Sequence, residues 1–267
     1  MDDFDRLKAG AKWMWSLGDY DEVAPRLEAH SARLADAAGI NAGMEVLDVA
    51  AGNGNFALAA ASRGATATAC DFSPRMVELG TARTERAGLA VTWREGDAEE
   101  LPFENESFDV VASVFGAMFA PRPERVAAEL FRVCRRGGLV AMANYGREGF
   151  LGSFVDVLTS FSTPSPLPLP SPFEWGTRAG IERRFDGLYS RLVVEPDTLV
   201  MSFRTVEDGL AFWGRTNGPQ IALQSLLSAD RFADFRREAE AMMRAMNRSR
   251  DGGLELRSES LRVLAYR

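Results

Sequence analysis

The chain shows two patterns of apolar positions, one typical of buried strands and the other of helices. Five short apolar runs have the length and composition of buried strands, at residues 44–49, 65–70, 89–94, 110–115 and 139–143. Between these runs, segments such as 124–136 carry apolar residues three or four positions apart, which predicts helices. Because strand and helix alternate from residue 44 to residue 143, we expect a parallel sheet with helices on both faces.

The two ends of the chain extend this pattern. The first forty residues read as helical, with an apolar stripe that begins at Val23. Segment 191–203 can supply a sixth strand, and the alternating segment 259–267 a final one. Thr205 to Asp208 has capping-box character and opens a helix between them. These segments read as the rest of the same sheet.

A proline-rich segment interrupts the second half of the chain. Between Pro164 and Pro172 every second residue is proline. Proline lacks the backbone N–H and cannot continue a helix or a central strand. We therefore expect an extended, polyproline-like strap over this segment.

Composition and charge exclude several classes of protein. The 267 residues are 46% hydrophobic and 26% charged, which suits one large α/β domain. A net charge of −7 without a basic patch disfavours nucleic acid as a partner. No signal-peptide core or membrane-length apolar run is present, and Cys70 and Cys134 stand apart from any metal-binding spacing. We expect a cytoplasmic protein without a metal site.

A loop of small residues between the first strand and the next helix is the first candidate for ligand binding. Glycine lets backbone approach a ligand closely, and the following helix N-terminus offers free N–H groups. The pattern from Gly52 through Gly54 to Ala57 also fits a dinucleotide-binding loop. Asp48, however, stands four residues before Gly52, where it would repel a pyrophosphate. This carboxylate favours a cationic or amine-bearing ligand.

Acidic residues also follow the next two strands. Asp71 lies at the end of strand two, where a carboxylate accepts hydrogen bonds from ribose hydroxyls. Asp97 follows strand three and could meet an adenine amino group. Because the carboxyl ends of parallel strands meet at one edge of a sheet, we expect these acids to share a cleft where the strand order reverses.

These motifs resemble those of the class I S-adenosylmethionine-dependent methyltransferases, in the UbiE-like branch. The similarity covers about residues 40–145, and it is looser towards small-molecule methyltransferases of bacterial secondary metabolism. The segments that carry it are Val46–Gly54, Cys70–Met76, Glu95–Phe103, Ser107–Val111 and Glu129–Gly138. The family usually has glycine at the position of Ala50 and proline at that of Arg136.

The resemblance implies a Rossmann-like sheet of seven strands in the order 3-2-1-4-5-7-6, with strand seven antiparallel. It also implies the activity, transfer of a methyl group from S-adenosylmethionine to an O, N or C atom of a small molecule. The chain then divides into an N-terminal helical lid at 1–40, a cofactor-binding half at 41–147, a proline-rich insertion or cap at 148–190 and the C-terminal half of the sheet at 191–267.

By the same resemblance, a set of residues along the carboxyl edge would hold the cofactor. They are Asp48, Ala50, Gly52, Asn53, Gly54, Asp71, Phe72, Met76, Asp97, Ala98, Val114 and Met118. A second set would border the acceptor, namely Trp15, Tyr20, Phe115, Asn144, Tyr145 and Trp175.

Catalysis would rest on alignment of the acceptor with the methyl group, because the sulfonium is already an activated donor. A general base is optional and depends on the acceptor. His30, the only histidine, and Tyr20 are the candidates. His30 lies on the apolar stripe of its helix, so a structural role competes with catalysis.

Two other functions remain open at this point. One is a dinucleotide-dependent oxidoreductase, which Asp48 and the lack of a Tyr-x-x-x-Lys pair disfavour. The other is a cofactor-binding scaffold without activity. A nucleic-acid methyltransferase is a weaker option, since Ser113 to Gly116 stands where an Asn/Asp-Pro-Pro-Tyr motif would be. The oligomeric state is open, with a homodimer among the options.

Overall fold

The computed structural model describes residues 3–165 and 167–267, which fold around one seven-stranded sheet. The strand order is β3-β2-β1-β4-β5-β7-β6, and β7 runs antiparallel to both of its neighbours. The strands are β1 (Glu45–Val49), β2 (Thr66–Asp71), β3 (Val91–Glu95), β4 (Phe108–Val114), β5 (Cys134–Gly149), β6 (Arg191–Phe203) and β7 (Leu254–Tyr266). The predicted fold class and strand order are confirmed.

Ten α-helices surround the sheet within the described residues. They are α1 (Asp3–Trp15), α2 (Tyr20–Ala37), α3 (Asn55–Ala61), α4 (Pro74–Arg86), α5 (Pro123–Val133), α6 (Phe150–Phe161), α7 (Arg178–Arg184), α8 (Val206–Thr216), α9 (Gly218–Leu226) and α10 (Ala229–Met246). Short 3-10 turns occur at Ala117–Phe119 and Pro172–Gly176. Apolar clusters fill both faces of the sheet, and a third cluster joins α6, α8 and α10.

The sheet forms a cleft where its order reverses, between β1 and β4. Val46 to Asp48 of β1 pair in parallel with β4 on one side and with β2 on the other. The chain leaves β1 and β4 towards opposite faces of the sheet at this point, and the two loops that follow them border the cleft. Both loops lie at the carboxyl edge, which therefore positions the candidate site.

Strand β5 is longer than the sequence pattern indicates. Helix α5 ends at Val133, and β5 begins at Cys134, so the predicted helix to Arg136 and the predicted strand start at Leu139 are wrong. Residues 134–138 form an irregular start that pairs beside β4 with a shift of register. Gly137 has a φ of +78°, which a helix does not accommodate. The two glycines thus lie in a strand irregularity and do not end a helix.

The segment predicted as a proline-rich insertion contains two helices, of which α6 is the larger. Phe150, Phe154 and Phe161 are buried on its inner face, against Trp213 and Phe235. Their spacing of four and seven residues is the helical signal, which the prolines that follow obscured. Outside Pro166, which lies beyond the described residues, no helix or strand is assigned from Ser162 to Ser171. This agrees with a segment lacking helix and central strand.

Candidate active site at the carboxyl edge of the sheet

Asp48 is buried at the end of β1 and holds the helix that follows the glycine loop. The residue is only 2% exposed, and its Oδ2 accepts a hydrogen bond from the Ala57 N–H at 3.0 Å. Burial raises the pKa of this carboxyl to about 7, an effect that hydrogen bonds from Ala57 and Phe56 oppose and the charge of Asp71 reinforces. Asp48 therefore fixes the loop from below through the N-terminus of α3.

The loop after β1 has a left-handed backbone at three positions. The φ angles are +52° at Ala50, +56° at Gly52 and +88° at Gly54. Ala50 is unusual, because a Cβ disfavours this region. Gly116 lies against the loop from the β4 side, where an added Cβ would come 2.3 Å from the Ala50 carbonyl oxygen. The two loops of the cleft therefore contact each other through backbone.

Asp71 joins the end of β2 to the same loop. Its Oδ2 accepts from the Gly52 N–H and its Oδ1 from the Ser73 N–H, both at 2.9 Å. Burial raises the pKa of Asp71 to about 6 against the effect of these hydrogen bonds. Of its neighbours, Met76 is buried on α4, whereas Phe72 is half-buried beside the cleft.

Asp97 lies after β3 and is paired with the N-terminal helix. Its Oδ1 accepts from the Glu99 N–H at 2.9 Å, and Oδ2 contacts the Lys8 ammonium at 2.5 Å. Ala98 beside it is buried. The three acids predicted to share a cleft thus end three adjacent strands, and helix α1 reaches the outermost of them.

Asn53 links the loop to the start of helix α2. The residue is buried, and its Nδ2 donates to the Tyr20 carbonyl oxygen at 3.1 Å and to Asp21 Oδ1 at 3.0 Å. Arg83 of α4 donates to the Asn53 carbonyl oxygen at 3.2 Å. Asn53 therefore acts here as a tie between the loop and α2.

Aromatic rings form a continuous row on the other side of the cleft. Centroid distances are 5.2 Å from Trp15 to Phe119, 6.5 Å from Phe119 to Tyr145 and 4.0 Å from Tyr145 to Phe115, the last pair being parallel within 2°. His30 follows at 5.6 Å from Phe115. Phe115 has a φ of +57°, a strained conformation for an aromatic residue. We call this set the aromatic row.

The remaining predicted acceptor residues are Asn144, Tyr145 and Trp175. The first two lie on β5, and Trp175 lies in the 3-10 turn Pro172–Gly176. Asn144 and Tyr145 lie within β5 and pair with Leu261 and Ser260 of β7, so the predicted end of this strand at residue 143 is wrong. Among the described residues, neither amide atom of the buried Asn144 has a hydrogen-bond partner. Trp175 is 1% exposed and packs on Phe185, which leaves it no free surface for a ligand.

The two candidate catalytic residues lie at opposite ends of this region. Tyr20 begins α2, and its buried hydroxyl has no partner within the described chain. Burial, together with the charge of Asp71, raises the pKa of this phenol, so it stays protonated. Its ring fits between Gly18 and Gly218, where a Cβ would lie 2.9 Å and 3.2 Å from Tyr20 atoms. Tyr20 therefore packs between these two glycines, near enough to Asp71 for that charge to act on the phenol.

His30 connects α2 to strand β6. Its Nε2 lies 3.3 Å from the Thr198 carbonyl oxygen and 3.8 Å from Asp197 Oδ2. Burial lowers the pKa of His30, and Arg33 lowers it further, while Asp197 and Thr198 act in the opposite sense. The imidazole is thus neutral at pH 7 and takes part in a helix–strand contact.

The residues of this edge that the sequence did not single out are Lys8, Glu99 and Arg122. The Glu99 side chain is fully buried and accepts from the Arg122 N–H and guanidinium, each at 2.7 Å, and it also pairs with Lys8. A usable signal existed, since Lys8 and Lys12 are the only lysines of the chain and are four residues apart. The local sequence, however, did not indicate that they pair with acids more than eighty residues away.

Other features of the described residues lie away from this edge. A cavity of about 570 Å³ opens beside the loop between α10 and β7, lined by Arg248, Arg250 and Arg257 among others. Over residues 3–165 and 167–267, no group of three His, Cys, Asp or Glu side chains is arranged to hold a metal ion. None of the helices in these ranges has both the length and the apolar character needed to cross a membrane.

Comparison with known proteins agrees with the motifs and the fold. Residues 47–142 match the family model described as a methyltransferase domain. Over these residues the chain is similar to methyltransferase domains. The expected similarity to the class I S-adenosylmethionine-dependent methyltransferases, including UbiE, is thereby confirmed.

The chain also has curated relatives and solved structural neighbours. An uncharacterised protein of Mycobacterium tuberculosis is 44% identical over 165 residues, which are 61% of this chain and 60% of that protein. The ubiquinone/menaquinone biosynthesis C-methyltransferase UbiE of Rhizobium etli is 39% identical over 108 residues, 39% of this chain and 42% of that protein. The chain spans about three fifths, or less, of the length of these relatives.

A solved structure that is similar to most of the chain supports the fold. It is the Haemonchus contortus phosphoethanolamine N-methyltransferase 2 in complex with phosphomonomethylethanolamine and S-adenosylhomocysteine. The TM-score is 0.56 at 20% identity, and the match covers 89% of this chain and 52% of that one. At this identity the likeness bears on the fold alone.

Proposed function

We propose that this protein transfers a methyl group from S-adenosylmethionine to a small-molecule acceptor. The observation that carries the proposal is the set of three carboxylates, Asp48, Asp71 and Asp97, at the ends of β1, β2 and β3. They flank a left-handed small-residue loop at the reversal of strand order. Such an edge suits a ligand with an amine, two ribose hydroxyls and an adenine.

The residues present fit this cofactor. The buried Tyr20 hydroxyl lacks a partner within the described chain, close to the charge of Asp71, and a ligand atom would satisfy it. Each Asp71 oxygen already accepts one backbone N–H and keeps a further lone pair for a ribose hydroxyl. Asp48, Ala50, Gly52 and Gly54 would hold the methionine end.

The rest of the proposed cofactor contacts follow the cleft outwards. Phe72 and Met76 would lie against the adenine, and Asp97 and Ala98 would meet its edge. On the other side, Val114 and Met118 would border the methyl group. In the chain, the first four of these residues follow β2 and β3, Val114 ends β4, and Met118 lies in the 3-10 turn after it.

The cofactor supplies a methyl group on a sulfonium, which is already activated for transfer. The chain's own contribution is to align the acceptor and exclude water. The aromatic row offers an apolar wall for the acceptor, which would lie against Trp15, Phe115 and Tyr145. The raised pKa of Tyr20 makes its hydroxyl a hydrogen-bond donor near the cleft and a poor base.

His30 has a structural part in this proposal. Its Nε2 is directed towards Thr198 and Asp197 on β6, so the ring positions α2 against the sheet. We propose Tyr20 as the group nearest the reaction and His30 as a support for Phe115, which it contacts.

The test is a methylation screen with S-adenosylmethionine labelled in its methyl group and pooled small-molecule extracts as acceptors. The proposal predicts label in one organic product together with release of S-adenosylhomocysteine. Tyr20→Phe should reduce the rate by roughly ten- to a hundredfold, in the lower range of effects of a positioned hydrogen-bonding group. Tight cofactor binding with no labelled product from any pool would favour the scaffold function.

A further inference from the structure

Both lysines of the chain lie on helix α1, and every other permanently basic side chain is arginine. Lys8 and Lys12 are four residues apart, so they occupy one face of the helix. That face is turned towards the end of β3. Lys12 pairs with Glu95, the last residue of β3, and Lys8 pairs with Asp97, which follows the strand. The two lysines therefore attach α1 to the adenine side of the proposed cofactor cleft.

Lys8 occupies the carboxylate that the adenine edge would use. Its ammonium lies 2.5 Å from Asp97 Oδ2 and also contacts Glu99 Oε2. The other Asp97 oxygen accepts the Glu99 N–H. While α1 is in this position, a ligand donor at Oδ2 has to share that oxygen with the Lys8 ammonium, which competes with it for the carboxylate.

Lys12 adds a second, more exposed contact. Its ammonium pairs with Glu95 at the end of β3, with the two side chains 40% and 52% exposed. Its charge also acts on Asp71, where it favours the ionised carboxylate. The positive face of α1 thus spans the acids of β2 and β3.

Charge holds the N-terminal part of α1 more than burial does. None of the thirteen residues of this helix is fully buried. Phe4 lies under the Arg122 guanidinium at 5.1 Å, and the end of the helix is fixed where the Trp15 ring meets Phe119. The Met14 carbonyl lies against Gly218, where a Cβ would come within 2.3 Å of its oxygen. The helix is thus anchored at its C-terminal end.

We infer that α1 is an ion-paired lid whose Lys8 competes with the adenosine half of the cofactor for Asp97. The inference rests on the proposed function, because it assigns a means of control to the same cleft. The Lys8–Asp97 pair is the contact that competes with the ligand. Glu99 keeps Arg122 as a partner when Lys8 leaves, so opening does not strand a buried charge.

We call the Lys8–Asp97 ion pair the lock. Because this pair competes with the ligand, salt should affect binding in the direction opposite to that of ordinary charge-assisted binding. S-adenosylhomocysteine carries no net charge at neutral pH, so screening should change its direct attraction to the cleft little. Screening does weaken the pairs of Lys8 and Lys12, because both remain partly exposed. Association of this ligand should therefore become faster as salt is added.

Hydrogen exchange of α1 without ligand tests the lock directly. We compare the unaltered full chain with two variants. Lys8→Gln keeps helix propensity, and Arg6→Gln removes an exposed charge that pairs with Asp3 of the same helix. Lys8→Gln should speed exchange in the N-terminal turns of α1 by about three- to tenfold. Arg6→Gln should match the unaltered protein.

Stopped-flow measurement of S-adenosylhomocysteine association tests the consequence. Between about 50 mM and 500 mM salt, the unaltered protein and Arg6→Gln should bind faster by about threefold, on the scale of such a partly exposed pair. Lys8→Gln should bind fast at both salt concentrations.

The outcomes separate the lock from the proposed function. Unchanged hydrogen exchange in Lys8→Gln overturns the lock. Slower association of the ligand with this variant also overturns it and shows that Lys8 helps retain the ligand. Absence of S-adenosylhomocysteine binding by all three proteins overturns the proposed function, and the inference with it.

Discussion

At the residue scale, the departure of Ala50 from glycine has a direct structural cost. Its φ of +52° places a Cβ in the left-handed region. For alanine that conformation costs roughly 1–2 kcal/mol, which substitution by glycine would remove. The greater freedom of glycine in the unfolded chain would offset about 0.4–1 kcal/mol of this gain. We expect Ala50→Gly to raise the free energy of unfolding by about 0.5–1 kcal/mol, measured by urea denaturation.

The neighbouring alanine provides the control for this prediction. Ala51 does not share the positive φ of Ala50. Ala51→Gly should lower the free energy of unfolding by about 0.4–1 kcal/mol through the unfolded chain. Equal destabilisation by both substitutions would show that the Ala50 backbone is not strained.

The titration of two carboxylates predicts how cofactor affinity depends on pH. Burial raises the pKa of Asp48 to about 7 and that of Asp71 to about 6. A ligand amine favours ionised carboxylates, so S-adenosylhomocysteine affinity should rise from pH 5.5 to pH 8, with protons released on binding. Calorimetry in buffers of different ionisation enthalpy measures that release.

The unliganded protein should show the opposite trend from the same two groups. A folded-state pKa above the unfolded value contributes stability that is complete below the unfolded pKa of 3.8 and is lost as pH rises through about 6 to 7. Asp48→Asn should therefore stabilise the free protein more at pH 8 than at pH 5. Affinity that does not change between pH 5.5 and pH 8 would contradict this electrostatic account.

At the scale of elements, the contact between the two loops of the cleft depends on Gly116. A Cβ there would come 2.3 Å from the Ala50 carbonyl oxygen, closer than backbone tolerates. Gly116→Ala should push the loops apart and weaken S-adenosylhomocysteine binding by at least about tenfold, as displacement of a positioning group does. Gly10→Ala, on an open face of α1, should leave binding unchanged in the same titration.

The attachment of α2 to β6 should respond to acid. The pKa of His30 is lowered below its usual 6.5 by burial. Stability from the neutral imidazole is complete above pH 6.5 and falls as pH drops below that value, because the unfolded chain binds the proton more readily. Urea midpoints should fall less from pH 7.5 to pH 5.5 in His30→Gln than in the unaltered protein. The same loss in both would assign no stabilising role to the neutral ring.

The sequence predicted the elements whose signals are local. The alternation of apolar runs determined β1 to β4, and the acids after β1, β2 and β3 indicated one edge. The start of β5 was misassigned because the amphipathic pattern of α5 continues into Cys134 while Gly137 adopts a φ that only the sheet context explains. The partners of Lys8 depend on chain segments ninety residues apart, which no local pattern reveals.

Across the whole molecule, the sheet, the loops and the N-terminal helices converge on one edge. The acids at the ends of β1 to β3 form one side, the aromatic row forms the other, and α1 reaches both through Lys8 and Trp15. This arrangement separates a polar half, suited to an adenosyl ligand, from an apolar half, suited to an acceptor. The long β6–β7 pair and the α6, α8 and α10 cluster support the side furthest from the acids.

The most direct measurement of the central claim is a calorimetric titration of the protein with S-adenosylhomocysteine and, separately, with NAD. The account predicts saturable binding of S-adenosylhomocysteine, a loss of at least about tenfold in affinity for Asp71→Ala, on the scale of a lost charged hydrogen bond, and no binding of NAD. Binding of NAD without binding of S-adenosylhomocysteine would contradict it.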